Sequence, residues 1–144
     1  MPSYQKSIFI FAPQDVVWRI FSNVVAWPQW LPTVHSVDAL DSHPLKLGAK
    51  YRIVQPKLRP ATWIVTCLEA PRLFTWEARF PGLTMTANHL IEAAAPGQSR
   101  AVLQMSFSGF LGALMGWNFR SFTESYLALE TAALKARAEG DQAD

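Results

Sequence analysis

The sequence predicts an α+β domain in which a curved antiparallel sheet of seven strands wraps around one long C-terminal helix, with two short helices between strands 1 and 2. Three observations predict it. Between residues 33 and 108 the chain alternates β-favouring runs with turn clusters, Ser42-His43-Pro44, Lys57 to Pro60, Ala70-Pro71, Pro81-Gly82 and Ala95-Pro96-Gly97, and the short connections imply antiparallel neighbours. Beyond them Met115, Phe119, Phe122, Tyr126, Leu129, Ala133 and Ala136 step alternately by four and three, the spacing of one amphipathic helix. With 144 residues, half of them hydrophobic, the chain has room for a single core, so the stripe and the sheet must bury against each other.

Each element follows from local chemistry. Ser3 to Phe11 mixes polar and β-favouring residues and stops at Ala12-Pro13, where Pro suits the first turn of a helix and Asp15 complements its dipole. Val16, Val17, Ile20, Phe21 and Val24 recur at helical spacing until Trp27-Pro28-Gln29-Trp30-Leu31-Pro32 breaks the helix twice, leaving a second, shorter helical turn. Six strand runs come next, at 33–41, 49–56, 61–69, 73–80, 83–93 and 100–108. The final helix turns Arg120, Ser121, Glu124, Ser125, Lys135 and Glu139 to solvent, which makes residues 1–139 one domain and residues 140–144 a polar, disordered tail. A helix about 10–12 Å wide cannot fill the hollow of so large a sheet, so space is expected between them.

Composition excludes several function classes. A net charge of +2 with no basic cluster beside stacking aromatics argues against nucleic acid. The lone Cys67 forms no internal disulfide and no Cys/His spacing offers a metal site, so no metal or cofactor is expected and a reducing cytoplasm is the default location. The apolar stretch Ile8 to Ala12 is too short for a signal peptide. Nineteen uncharged residues separate Arg100 from Arg120, close to the length of a membrane span. Within them, however, Gln104, Ser106 and Ser108 alternate with Leu103, Met105 and Phe107 as in a strand, and Gly109 and Gly112 interrupt the apolar run beyond Ser108.

Six Trp, nine Phe and three Tyr are more aromatic surface than a domain of this size needs to close, which points to an aromatic-lined cavity. The more apolar parity of each strand faces inward. That gives Tyr51, Ile53 and Gln55, then Trp63, Val65 and Cys67, then Phe74, Trp76, Ala78 and Phe80. The last two strands give Met85, Ala87, His89 and Ile91, then Leu103, Met105 and Phe107. The ligand-binding candidates drawn from the sheet are Tyr51, Gln55, Trp63 and Trp76 with Met85, His89, Met105 and Phe107; the helix stripe adds Phe119, Phe122 and Tyr126. His89 points among apolar neighbours and needs a partner, either a structural one or a ligand carbonyl or hydroxyl. Cys67, inward among apolar residues, is a poor nucleophile. Glu77, Arg79, Glu92 and Gln104 face outward as surface groups.

The pattern resembles the START-like, or SRPBCC, superfamily with its helix-grip, birch-pollen-allergen fold, and within it the bacterial polyketide cyclase/dehydrase-like branch. The resembling residues are Ile10-Phe11-Ala12-Pro13 with Val17-Trp18, Trp27-Pro28-Gln29-Trp30-Leu31-Pro32, Gln55 to Trp63, Trp76 with Phe80-Pro81-Gly82-Leu83, His89 before Ile91-Glu92, and Phe107-Ser108-Gly109-Phe110-Leu111-Gly112. The resemblance spans nearly the whole chain and implies a cavity for apolar small molecules. Three functions stay open: binding or transport of a hydrophobic molecule (lipid, isoprenoid or polyketide-like), which the shortage of inward charge favours; a cyclase or dehydratase with His89 as acid/base and no other catalytic residue assigned; and a protein-protein interaction module. Residues 110–117 cannot all lie on the helix stripe. They either close the end of the barrel as ordinary packing or gate the cavity and touch a membrane transiently, helped by the basic edge of Lys46, Lys50, Arg52, Lys57 and Arg59. Oligomeric state is not legible.

Overall fold

The computed structural model describes residues 1–41 and 44–143, with side chains to residue 140, so the Ser42-His43 part of one expected turn and the end of the chain lie outside the described side chains. Its elements are β1 (Ser3–Ile10), α1 (Gln14–Ser22), a 3₁₀ helix (Val24–Gln29), β2 (Ser36–Ala39), β3 (Lys50–Val54), β4 (Ala61–Glu69), β5 (Leu73–Phe80), β6 (Leu83–Ala93), β7 (Ser99–Ser108), α2 (Gly112–Asn118) and α3 (Arg120–Ala143). The strands form one sheet in the order β1-β7-β6-β5-β4-β3-β2, every neighbouring pair antiparallel. This is the helix-grip α+β arrangement.

The sheet is a meander from β2 to β7, and β1 closes onto the last strand, Ser3 opposite Ser106 through Ile10 opposite Ser99. Pro13 stands just before α1, where its missing N–H costs nothing, and α1 buries Val16, Val17 and Phe21 while Pro28 sits inside the following 3₁₀ helix. Those two short helices carry Phe21 and Trp27 onto the concave face, where they join Phe74 and Trp76 in the core. The convex face is polar. Thr75 donates to Asn88 (2.7 Å), Asn88 to Gln104 (2.9 Å) and Gln104 to Ser3 (2.8 Å), a chain of side-chain hydrogen bonds that crosses β5, β6, β7 and β1.

Three local features depart from the sequence reading. A bulge between Val65 and Cys67 leaves Val65 opposite Trp76 and puts Cys67 opposite Thr75. Cys67 therefore shares the outward face of Thr75 rather than the inward face expected from strict alternation, because one extra residue inverts every later side chain. The helix stripe is also rotated. Thr123, Leu127, Thr131, Leu134 and Ala138 are buried, whereas Leu129 is exposed. Two of these are threonines that hydrophobicity does not flag, and Thr131 satisfies its hydroxyl on the Leu127 and Ala128 carbonyls. Lastly, the backbone of α3 runs past Gly140 through Ala143, so Gly140 does not end the helix. One Gly weakens a helix by only about 1 kcal/mol and does not stop it.

α3 does not lie over the middle of the hollow. It packs chiefly along β1 and against α1. Its far end is fastened there, since Glu139 accepts from the Phe11 backbone N–H (2.9 Å) and pairs with Lys135, whose ammonium donates to the Phe9 carbonyl and sits 4.7 Å from the centre of the Phe11 ring. Its near end is separated from α2 by one non-helical residue, Phe119. The offset leaves part of the concave surface of β4 to β7 uncovered between α3 and the short helices that fill its other end.

Candidate functional site

The uncovered region is a cavity of about 500 Å³ bounded by the sheet, α3 and the α2 segment. Its walls are mostly apolar: Trp63 from β4, Met85 and Ala87 from β6, Leu103, Met105 and Phe107 from β7. α3 supplies Phe122, Tyr126 and Leu127 opposite them, with Phe122 and Tyr126 in ring contact at 4.4 Å. Lys57, Leu58 and Arg59 of the β3–β4 loop, Phe80 and Pro81 of the β5–β6 turn, and Leu111, Met115 and Phe119 frame the opening. Tyr126 ties that β3–β4 loop to α3 by donating its hydroxyl to the Pro56 carbonyl at 2.5 Å.

Polar groups enter this cavity at few points. His89 is buried, its ring stacked on Phe74 with centroids 4.1 Å apart and enclosed by Phe21, Trp27 and Trp76. Nδ1 lies 3.1 Å from the Phe74 carbonyl, a pure acceptor, so Nδ1 carries the proton and donates. Burial lowers the imidazole pKa to about 3, against a smaller upward pull from that hydrogen bond. The ring is therefore neutral, with its proton on Nδ1 and a lone pair on Nε2, and His89 is one of the residues that line the cavity.

Glu130 is the second point. It lies on α3 one turn beyond Tyr126 and accepts a hydrogen bond from the Thr33 hydroxyl (3.1 Å). Burial raises its carboxyl to about 7, outweighing the downward effect of Thr33. Gln55, just after β3, donates to the Thr33 carbonyl (3.1 Å), so Thr33 joins two of the polar side chains that line the cavity. Tyr126 is pushed up as well, by burial first and by the Glu130 charge second.

Nine of the eleven residues expected at the site line the cavity: Gln55, Trp63, Met85, His89, Met105 and Phe107 from the sheet, and Phe119, Phe122 and Tyr126 from the helical side. Tyr51 and Trp76 do not. Both face inward, but they pack in the closed end of the core with rings 6.0 Å apart, beneath Trp63 and Trp27. Inward parity identifies a face and cannot separate its filled end from its hollow one. Strand parity does not mark Glu130, because the residue sits on α3 and not on the sheet. Its position four residues after Tyr126 is the signal that finds it. Among the described residues no group of three or more His, Cys, Asp or Glu side chains is placed to hold a metal. A separate depression of about 350 Å³, lined by Trp18, Arg19, Leu45 and Leu68 among others, shares no residue with the cavity.

Residues 1–139 match the protein family described as polyketide cyclase / dehydrase and lipid transport. The chain belongs to that family. No protein of curated function matches it in sequence. Among solved structures it is similar to the aromatase/cyclase Zhui from Streptomyces sp. R1128, with a TM-score of 0.76 and 16% identity over 95% of this chain and 93% of that one. A START superfamily protein from Mycobacterium smegmatis superposes with a TM-score of 0.72 and 16% identity over 97% and 99%. The di-domain aromatase/cyclase BexL from the BE-7585A biosynthetic pathway gives 0.73 and 20%, and there the chain covers 96% of itself but spans only 47% of the larger protein. At these identities the likeness is one of fold.

Proposed function

We propose that the protein binds a hydrophobic small molecule, of lipid, isoprenoid or polyketide-like character, in the cavity between the sheet and α3. The observation that carries this reading is a cavity of about 500 Å³ whose walls are mostly apolar and include a few polar side chains, among them the neutral His89 and the Glu130 carboxyl. Ligand pockets of roughly 300–1,000 Å³ have this composition, in which apolar walls supply affinity and a few polar groups fix orientation. Native mass spectrometry of protein purified from its own host tests it, together with displacement of an apolar fluorophore by the extracted molecule. A chain that carries nothing and takes up no apolar fluorophore would overturn the reading.

A second reading, a cyclase or dehydratase, is supported by Glu130. A carboxyl that gains and loses its proton near neutral pH inside an apolar cavity suits general acid/base work. In this reading the acid/base role passes from His89, whose proton affinity is too low, to Glu130, and His89 is left to accept a hydrogen bond from the substrate. Incubating the recovered ligand with wild type and with Glu130→Gln separates the two: binding retained with conversion lost in the variant marks an enzyme, and no conversion by wild type marks a carrier.

A further inference from the structure

α2 is a helix turned inside out. Its small residues face the protein: a Cβ on Gly116 would lie 2.6 Å from the Pro2 side chain, and one on Gly112 would lie 2.9 Å from the Phe107 carbonyl oxygen. Its large apolar residues Leu114 and Trp117 face water. Leu114 and Trp117, three residues apart and so on one side of the helix, are 57% and 69% exposed, Phe110 in the turn just before the helix is 85% exposed, and Phe119 just after it is 38% exposed. A helix held by packing alone in water places these groups the other way round. No charged residue occurs from 101 to 119, so nothing on this face opposes an apolar medium.

Two further facts say which medium. The same face contains the opening of the cavity, since Leu111, Met115 and Phe119 line it from within. Across the opening stand Lys57 and Arg59, both exposed, neither paired with a carboxylate among the described residues. An apolar patch with Trp at its edge and such cations at its border is complementary to a bilayer interface that bears negative headgroups.

We propose that this face docks reversibly on an anionic membrane, with Phe110, Leu114 and Trp117 entering the headgroup region and Lys57 and Arg59 meeting lipid phosphates. The opening of the cavity then faces a reservoir of apolar molecules. A protein partner seated there would seal the opening instead. Why the surface and the opening coincide rests on the binding function proposed above; whether the surface docks does not.

The test uses the full chain without added ligand and vesicles of phosphatidylcholine alone or mixed with phosphatidylglycerol. Co-sedimentation with the mixed vesicles is expected, reduced by salt, and weaker on phosphatidylcholine alone. The double variant Phe110→Ser/Trp117→Ser, whose side chains lie outside the cavity, is expected to lose about tenfold or more in vesicle affinity. It should still take up an apolar fluorophore and melt as the wild type does. The double variant Lys57→Gln/Arg59→Gln is expected to bind both vesicle types equally. Absence of wild-type binding to mixed vesicles, or unaltered binding by Phe110→Ser/Trp117→Ser, overturns the proposal. So does a wild-type dimer in ultracentrifugation that this variant dissociates while vesicle binding is absent, which would assign the face to self-association. Fluorophore uptake without vesicle binding sinks docking alone, and vesicle binding without uptake sinks the binding function alone.

Discussion

Replacing Glu130 by Gln preserves the shape of the side chain and an oxygen for the Thr33 hydroxyl, and removes only the proton equilibrium that the cavity imposes. In the unfolded chain this carboxyl has its ordinary value of 4.5, and folding raises it to about 7. The raised group contributes fully below 4.5, where both states hold the proton, and its contribution is lost as pH rises through 7. Between about pH 5 and pH 8 that loss is at most about 2.5 kcal/mol, the upper bound applying because Glu130 keeps some contact with water in the cavity. His89 works in the opposite direction. Its pKa falls from 6.5 to about 3, so its contribution is present above 6.5 and is lost as acid protonates the unfolded chain first, by about 2 kcal/mol between about pH 8 and pH 5. In the wild type the two nearly offset over this window. Urea unfolding at several pH values should therefore show Glu130→Gln gaining stability relative to the wild type as pH rises, by up to about 2.5 kcal/mol, with the difference smallest near pH 5. A difference independent of pH would refute the assignment of a buried, titrating carboxyl at this position.

The imidazole of His89 should remain neutral and protonated at Nδ1 down to about pH 5 in nitrogen-resolved NMR, and a midpoint near that of free imidazole would place it outside the core. Trp76→Ala should destabilise by about 3–5 kcal/mol, the range for a buried aromatic, while Phe122→Ala, which borders open space, should cost under about 2 kcal/mol and enlarge the volume open to an apolar fluorophore. Equal costs for the two would mean that the cavity is filled. Gly109 has φ of +90° and a Cβ there would lie 2.6 Å from the Gly82 carbonyl oxygen, so Gly109→Ala should destabilise by at least about 2 kcal/mol in thermal or urea unfolding. A neutral substitution would show that the β7–α2 turn does not need that backbone conformation.

The strands were the most legible part of the chain. β4, β5 and β6 occupy the residues their alternation and bounding turns predict, and β7 differs by one residue at its start. β2 is shorter than its run, from Ser36 instead of 33, because Thr33 and Val34 are drawn into the turn after the 3₁₀ helix, Val34 donating to the Leu31 carbonyl. Alternation could not reveal features that depend on depth or phase. The bulge before Cys67 has no marker in composition, and the buried Thr123 and Thr131 are polar by residue type. Tyr51 and Trp76 against Trp63 differ only in how far α1 and the 3₁₀ helix reach over them, a tertiary fact. The stepped stripe through Met115 spans the break at Phe119, since a single non-helical residue leaves the spacing of the apolar residues on either side unchanged.

The chain of side-chain hydrogen bonds from Thr75 through Asn88 and Gln104 to Ser3 sets the mechanics of the cavity. It runs across the strands, the direction in which a sheet is otherwise held only by its backbone ladder, so splaying β5, β6, β7 or β1 apart must break side-chain bonds on the convex face as well. On the opposite wall the single residue between α2 and α3 is held by backbone bonds alone, Phe119 N–H to the Met115 carbonyl and Thr123 N–H to the Phe119 carbonyl. Any widening of the hollow by strand separation is thus resisted on two levels at once, at the backbone ladders and again on the convex side, and the register of β5, β6, β7 and β1 is pinned from both.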